Sequence, residues 1–386
     1  MANLESRMNP AAVQIKPQDI FLCNTQDPRI VNLTVGEPSF STPEHIRTAV
    51  QQALDEMPMR YTNPQGDARL TEAIANYLQQ KYNLNYDPET EIISTIGVTE
   101  GAYTTLRAIL CPGDEVILPT PCFTIYDPDI RLNKAQPVIM DTSKTAFKVT
   151  PASLEKMLVE HPQAKAIIFN YPNNPTGVTY DRAELTALAD ILRQYDIFVI
   201  SDEIYSELVY DQKHVSFAEI LPEQTILLNG LSKSYSMTGW RLGYICAPQK
   251  IAKHILDVHE LVTTSIPAPA QVAAVEALTH GQDDSKAMKA QYQERRDVLY
   301  QGLLDLGFEI AKPQGAFYIF AKIPAGLNQD DIQLAQELSD QAKVALLPGT
   351  YFGAGGQGYL RLSYASSLEQ IKLALERLKT FIDHQK

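Results

Sequence analysis

The sequence predicts an α/β fold: a large domain built on a mainly parallel sheet of six or seven strands between helices, followed by a smaller α+β domain. Three observations predict it. Short apolar runs of strand length, "EVILP", "PVIMD", "AIIFNY", "IFVISDE", "TILLNG" and "LGYICA", recur through the middle of the chain. Their unbroken apolar character suits a sheet covered on both faces. Helical patterns lie between several of them, so Ala166 to Ser201 reads as a strand–helix–strand unit. The pattern then changes after the charged helical stretch "DDSKAMKAQYQERRDVLYQGLLDLG". Beyond it, "FEIAKPQGAFYIFAKI", "VALLPG" and "GYLRLSYA" read as strands and "LEQIKLALERLKTFID" as a closing helix.

In chain order, residues 1–45 are rich in Pro and Asn with only short apolar pieces, so they are expected to wrap and complete the small domain. From Pro43 the pattern becomes helix, turn, helix, with "TPEHIRTAVQQALDE" and "ARLTEAIANYLQQKY" both apolar at helical spacing. The large domain is expected over residues 46–284. Within it, "DRAELTALADILRQY" opens with Asp181 as N-cap and Glu184 three residues later, a capping box. The small domain is expected over residues 285–386.

The chain has 386 residues, 45% hydrophobic and 20% charged, as in ordinary globular proteins. Its formal net charge of -13 argues against nucleic acid or an anionic membrane as the main partner. The four cysteines, Cys23, Cys111, Cys122 and Cys246, show neither metal-ligand spacing nor a disulfide framework, which fits a reducing cytoplasm. No metal site is expected. The N-terminus has no apolar core of a secretory signal, and no apolar run approaches the roughly 18 residues of a membrane span.

One apparent motif is set aside. "GAGGQG" at Gly353 to Gly358 matches a dinucleotide-binding pattern, but that pattern has meaning only between a strand and a helix. Here it precedes the strand-like "YLRLSYA" and reads as a hairpin-like loop.

Five other places carry candidate chemistry, each with a plainer reading beside it. In "TIGVTEGAYTTLRAIL" a helix starts at Gly97, and its free N–H groups with the Thr99 hydroxyl could hold a phosphate; a simple helix start explains it too. Asn174 in "NYPNNPTG" follows a strand end, where ligands bind in parallel sheets, although a turn accounts for the composition. Asp202 ends a buried run in "IFVISDEIY", either as a helix cap or as a carboxylate paired with a protonated heteroaromatic nitrogen. Tyr205, three residues on, can share its side.

Lys233 sits in "GLSKSYSMTGWRLG" with no other charge until Arg241. It is either a surface lysine or a desolvated amine nucleophile, with Arg241 as an anion site next door. Arg361 lies in the alternating strand "GYLRLSYA" and needs an anion, whether a salt-bridge partner or a substrate carboxylate. Together these supply a phosphate cradle, an acid for a pyridinium nitrogen and a nucleophilic lysine, the parts that pyridoxal phosphate chemistry needs. A P-loop ending in Gly-Lys-Ser/Thr is absent.

Over nearly its whole length the sequence resembles the class I aminotransferases of the pyridoxal phosphate fold-type I group. The stretches that carry the likeness are "LTVGEPSFSTPEHI", "RYTNPQGDARLTEAIANY", "CPGDEVILPTPCFTIY", "NYPNNPTGV", "SDEIYSEL", "GLSKSYSMTGWRLGY", "PQGAFYIF" and "GYLRLSYA". The resemblance implies that Lys233 bonds the aldehyde of pyridoxal 5'-phosphate and later shuttles the proton. It implies that Asp202 pairs with the ring nitrogen, that Asn174 and Tyr205 bond the ring's phenolic oxygen, and that Phe123 stacks on the ring. Val98, Thr99, Ser232 and Arg241 would hold the phosphate, and Tyr61 would reach in from a second subunit of a homodimer. Gly36, Asn174 and Arg361 would bind the substrate carboxylate.

Two departures stand out. Many relatives carry a hydroxyl residue three positions before the lysine, where this chain has Gly230. The segment "LVTTSIPAPAQ" lacks the arginine that aspartate-specific members use for a distal carboxylate. Within the family the sequence is most similar to a bacterial subgroup of N-acetyl-diaminopimelate and aromatic aminotransferases. That implies transfer of an amino group to a 2-oxo acid such as 2-oxoglutarate. A carbon–sulfur β-lyase on the same fold is the alternative. A regulator with an added DNA-binding module is disfavoured by the acidic charge and the lack of room for such a module.

Overall fold

The computed structural model describes residues 4–14 and 27–385. Cys23 lies outside the described residues. The first strand, β1 (Val31–Asn32), precedes seven strands that form one sheet. These are β2 (Ile92–Thr95), β3 (Glu115–Thr120), β4 (Gln136–Asp141), β5 (Ala164–Asn170), β6 (Phe198–Asp202), β7 (Thr225–Gly230) and β8 (Gly243–Cys246). Their spatial order is β2-β8-β7-β6-β5-β3-β4. All pairings are parallel except those of β8, which runs antiparallel to both β2 and β7. Every residue of β2, β7 and β8 is buried, as expected for strands covered on both faces.

The sheet is therefore the mainly parallel α/β layer the sequence predicts, with one strand unforeseen. Only four residues long, β2 contains Ser94 and Thr95, so it offers no apolar run to read. The helix Ala68–Tyr82 matches its sequence pattern, and its start is capped by Asp67. The helix Arg182–Leu192 begins with both bonds of the Asp181–Glu184 capping box.

A smaller antiparallel sheet follows, from β9 (Glu309–Ile310), β10 (Tyr318–Lys322), β12 (Leu347–Pro348) and β13 (Tyr359–Ser363), in the order β12-β13-β10-β9. Between them in the chain, β11 (Val344–Ala345) pairs with β1 in parallel, tying the N-terminal segment to this region. The Gly353–Gly358 loop joins a short 3-10 turn to β13 and opens no helix, as its position in the sequence indicates. Gly355 has a positive φ, and a Cβ there would meet the Asp141 carboxylate at 2.2 Å, so the loop docks closely on the end of β4. Phe147 and Val178 pack with Phe320, Leu347 and Phe352, which bridges the two sheets.

Register places the site. Asn170 lies opposite Asp202, and Asp202 opposite Leu228, so β5, β6 and β7 end side by side. Asn174, Asp202 and Lys233 follow from these ends, at the carboxyl edge where ligands bind in such sheets. Because β8 is reversed, its first residue, Gly243, lies beside Gly230 and Thr95. Arg241 thereby reaches the same edge.

On the outside, His45 joins three helices. Its Nδ1 lies 2.8 Å from Glu276 and its Nε2 2.8 Å from Asp284. Burial lowers its pKa, but the hydrogen bonds to Asp284 and Glu276 outweigh this and raise it above 6.5. A group raised on folding stabilises in full below its unfolded value and loses that contribution as pH rises through the folded value. His45→Gln is therefore expected to lower the melting temperature at about pH 6 and to have little effect at about pH 9. Thermal melts of both proteins at the two pH values check this.

Candidate active site

A cavity of about 480 Å³ opens at the carboxyl edge of the large sheet. It is lined by Gly36, Val98, Thr99, Phe123, Asn174, Asp202, Tyr205, Ser232, Lys233, Arg241 and Arg361. Of the site residues expected from the sequence, Tyr61 alone is not in this lining. It is 86% exposed, away from the cavity of its own chain.

Lys233 emerges three residues after β7, and its Nζ donates to the Gly36 carbonyl at 2.7 Å. Burial pushes this amine down to about 8, against the pull of the Glu37 carboxylate and with help from the Arg241 and Arg361 cations. Far more of it is thus free amine near neutral pH than of an ordinary lysine, and the free amine is the form that attacks carbonyls.

Asp202, the last residue of β6, is buried and accepts two hydrogen bonds. Tyr126 donates to Oδ2 at 2.6 Å and the Ile204 N–H to Oδ1 at 3.1 Å. Burial raises its carboxyl to about 6, and these two donors hold it from rising further. The carboxylate is fixed in orientation and suited to a cationic partner.

Arg361 is 5% exposed on β13. Its Nη1 donates to Asn174 Oδ1 at 3.1 Å and its Nη2 to the Thr34 carbonyl. The guanidinium lies over the rings of Tyr318 and Phe352, 4.5 and 5.0 Å from their centroids. Among the described residues no carboxylate pairs with it, and Nε has no hydrogen-bond partner. The salt-bridge reading of Arg361 is therefore not realised. A buried cation without an anion is costly, and a bound carboxylate would complete it.

At the opposite end, the helix Gly97–Ile109 points its start into the cavity without a side-chain cap at Ile96. The amides of Val98 and Thr99 lie in that first turn, where N–H groups have no acceptor within the helix. Arg241 stands beside them: a Cβ on Gly97 would fall 2.5 Å from its Nη2. Backbone amides and a guanidinium there make an anion cradle.

Residues 28–378 match the sequence model of the family "aminotransferase class I and II". The chain belongs to this family. A probable N-acetyl-LL-diaminopimelate aminotransferase of Bacillus subtilis is 43% identical over 383 residues, 98% of this chain and 96% of that one. The structure of Thermus thermophilus aspartate aminotransferase with maleate matches with a TM-score of 0.90 at 36% identity, covering 96% and 98% of the two chains. An aromatic aminotransferase from Pyrococcus horikoshii matches with a TM-score of 0.88 at 34% identity, covering 92% and 96%. Class I aminotransferases are generally pyridoxal phosphate enzymes.

In this aminotransferase Gly230 has a packing reason. A Cβ there would meet the Gly243 Cα and the Leu242 carbonyl, each at 2.8 Å. Gly243 is equally confined, since its Cβ would lie 2.7 Å from the Val98 nitrogen. Two glycines let β7, β8 and the helix start press together, which excludes a side-chain hydroxyl at position 230. The departure at position 230 thus goes with close backbone packing of β7 on β8.

Three residues in or behind the cavity wall went unnoticed in the sequence. Tyr126 orients Asp202; it stands one helical turn after Phe123 in "PCFTIY", and that spacing was a usable signal. Tyr318 contacts Tyr205 hydroxyl to hydroxyl at 2.8 Å, and Glu37 accepts from Thr238 at the cavity wall. Both come from segments remote in sequence from their partners, and no local pattern marks them.

Proposed function

We propose that this aminotransferase uses pyridoxal 5'-phosphate to move the amino group of an L-amino acid to 2-oxoglutarate. The donor is an aromatic amino acid or N-acetyl-diaminopimelate. One observation carries the reading: a desolvated amine, Lys233, shares a cavity with a buried guanidinium, Arg361, that has no carboxylate partner among the described residues.

The residues fit the cofactor. The uncapped helix start and Arg241 suit its phosphate, the fixed Asp202 carboxylate suits its ring nitrogen, and Lys233 suits its aldehyde. Ser232 would add a phosphate contact, Asn174 and Tyr205 would bond the phenolic oxygen, and Phe123 would cover a ring face. The bound cofactor supplies an aldehyde that captures amines and a ring that withdraws electrons from the substrate α-carbon.

The chain's residues do the rest. Arg361, with Asn174 and the Gly36 backbone, would grip the substrate carboxylate and orient the α-hydrogen toward Lys233. The Lys233 amine would remove that proton and return it elsewhere, acting as base and then acid. Asp202 would keep the ring nitrogen protonated.

For the donor, the cavity walls are informative. Apart from Lys233, Arg241 and Arg361, its described lining contains no cation, whereas Ile125, Leu347, Tyr351 and Phe352 give it an apolar side. A lining with no further cation argues against a narrow preference for short dicarboxylate donors. The names of one Bacillus subtilis and one Pyrococcus horikoshii relative agree with longer or aromatic donors, while other relatives from both genera are named aspartate aminotransferases.

The working unit we assign is a cytoplasmic homodimer in which Tyr61 serves the partner's site. Its exposure supports this, as does that of Leu54, Met57 and Met59 just before it.

A donor panel tests the reading, with each amino acid offered in the presence and absence of 2-oxoglutarate. Aromatic amino acids or N-acetyl-diaminopimelate should exceed aspartate by about tenfold or more in kcat/KM. Aspartate turned over as well as either would overturn the donor assignment. Pyruvate and ammonia released from a cysteine conjugate without any oxo acid would establish the lyase instead.

A further inference from the structure

The start of the helix Gly97–Ile109 has an unexplained neighbour. Glu100, in its first turn, folds back so that Oε2 accepts the Ile96 N–H at 3.0 Å. A carboxylate at a helix start is favourable by itself, but it competes with any second anion placed there. In the proposed function that second anion is a phosphate carrying close to two charges, held by the amides of Val98 and Thr99.

Its counter-charge comes from another helix. His259, on the helix Gln249–Thr263, has a fully buried side chain and places Nδ1 3.0 Å from Glu100 Oε1. Its Nε2 lies 3.1 Å from the Pro64 carbonyl. Both of these partners are acceptors, and a ring donating from both nitrogens would satisfy the two together. Thr263 Oγ1, 3.2 Å from Nε2, is compatible with this because its own hydrogen goes to the His259 carbonyl at 3.1 Å.

We propose that His259 is a positioning residue that cancels the charge of Glu100, so that the helix start can accept a phosphate dianion beside that carboxylate. The proposal rests on the pyridoxal phosphate reading above and adds a residue outside the cavity lining to it. Arg241 then faces the phosphate from one side, while the neutralised Glu100–His259 pair backs the helix start from the other. Without His259, the carboxylate would repel the phosphate specifically, leaving contacts to the ring unaffected.

The test compares two ligands that differ only in the phosphate. Full-length protein freed of small molecules is titrated with pyridoxal 5'-phosphate and, separately, with pyridoxal, following absorbance. His259→Gln should weaken pyridoxal 5'-phosphate binding on the order of tenfold and leave pyridoxal binding unchanged. His259→Gln with Glu100→Gln should restore the phosphate ligand to within about threefold of wild type. Glu100→Gln alone, which needs no fold to survive loss of the histidine, should keep or increase the preference for the phosphorylated ligand.

Equal losses for both ligands in His259→Gln, a double variant no better than the single, or a lost preference in Glu100→Gln would each overturn the proposal. Wild-type protein that binds neither ligand would overturn the cofactor reading instead.

Discussion

Lys233→Ala is expected to reduce transamination by about 10⁴-fold or more, since it removes the amine proposed both to engage the cofactor and to act as base for the α-proton. Steady-state rates with the preferred donor measure the loss. Mass spectrometry after borohydride reduction gives a second readout, in which wild type retains the cofactor covalently and the variant does not. Wild-type turnover in Lys233→Ala would sink the assignment.

A pH dependence accompanies it. With the folded-state amine at about 8, capture of pyridoxal 5'-phosphate should quicken as pH rises toward that value and level off above it. The same depression is a stability statement. The unfolded chain binds the extra proton between about 8 and the ordinary 10.5, so this lysine's folding penalty is greatest below 8 and fades as pH rises.

Asp202→Asn is the second large effect, expected to lower kcat on the order of 10³-fold with a smaller change in KM. An amide carries no charge to hold the ring nitrogen protonated, and the site offers no second carboxylate in that place. Tyr126→Phe should be milder. It removes one of the two donors to Asp202, a hydrogen bond to a charged group worth about 1.5–3 kcal/mol, and lets the carboxyl rise above its value of about 6. The ratio of kcat in the two variants, with the pH profile of each, checks the ordering. If Tyr126→Phe fell as far as Asp202→Asn, Tyr126 would act directly rather than through the carboxylate.

The sequence made the layers of this fold legible because they follow local patterns. Capping residues marked Asp181 and Glu184, helical spacing marked Ala68–Tyr82, and buried runs marked six of the seven strands of the large sheet. The seventh, β2, was hidden by its length and its two hydroxyl residues. The reversal of β8 did leave a signal: a parallel return is usually made through a long helix, and Leu231 to Leu242 carries none.

In the site, residues that follow strand ends could be read from position. Tyr126, Tyr318 and Glu37 could not be read so easily, since what matters is the side chain each meets across the fold. Gly230 was legible only as a departure. Its cause, the closeness of Gly243 and Leu242, depends on the pairing of β7 with β8.

The reversed strand also sets an order of events during synthesis. β2 hydrogen-bonds to no strand but β8 among the described residues, so Thr95 leaves the ribosome early and waits for Gly243. Until then its edge is open, and the start of the following helix lacks both Gly243 and Arg241 beside it. A nascent chain ending before β8 would hold the lysine yet no finished phosphate cradle. On the proposed cofactor reading, capture would then wait for a chain whose central sheet has already closed.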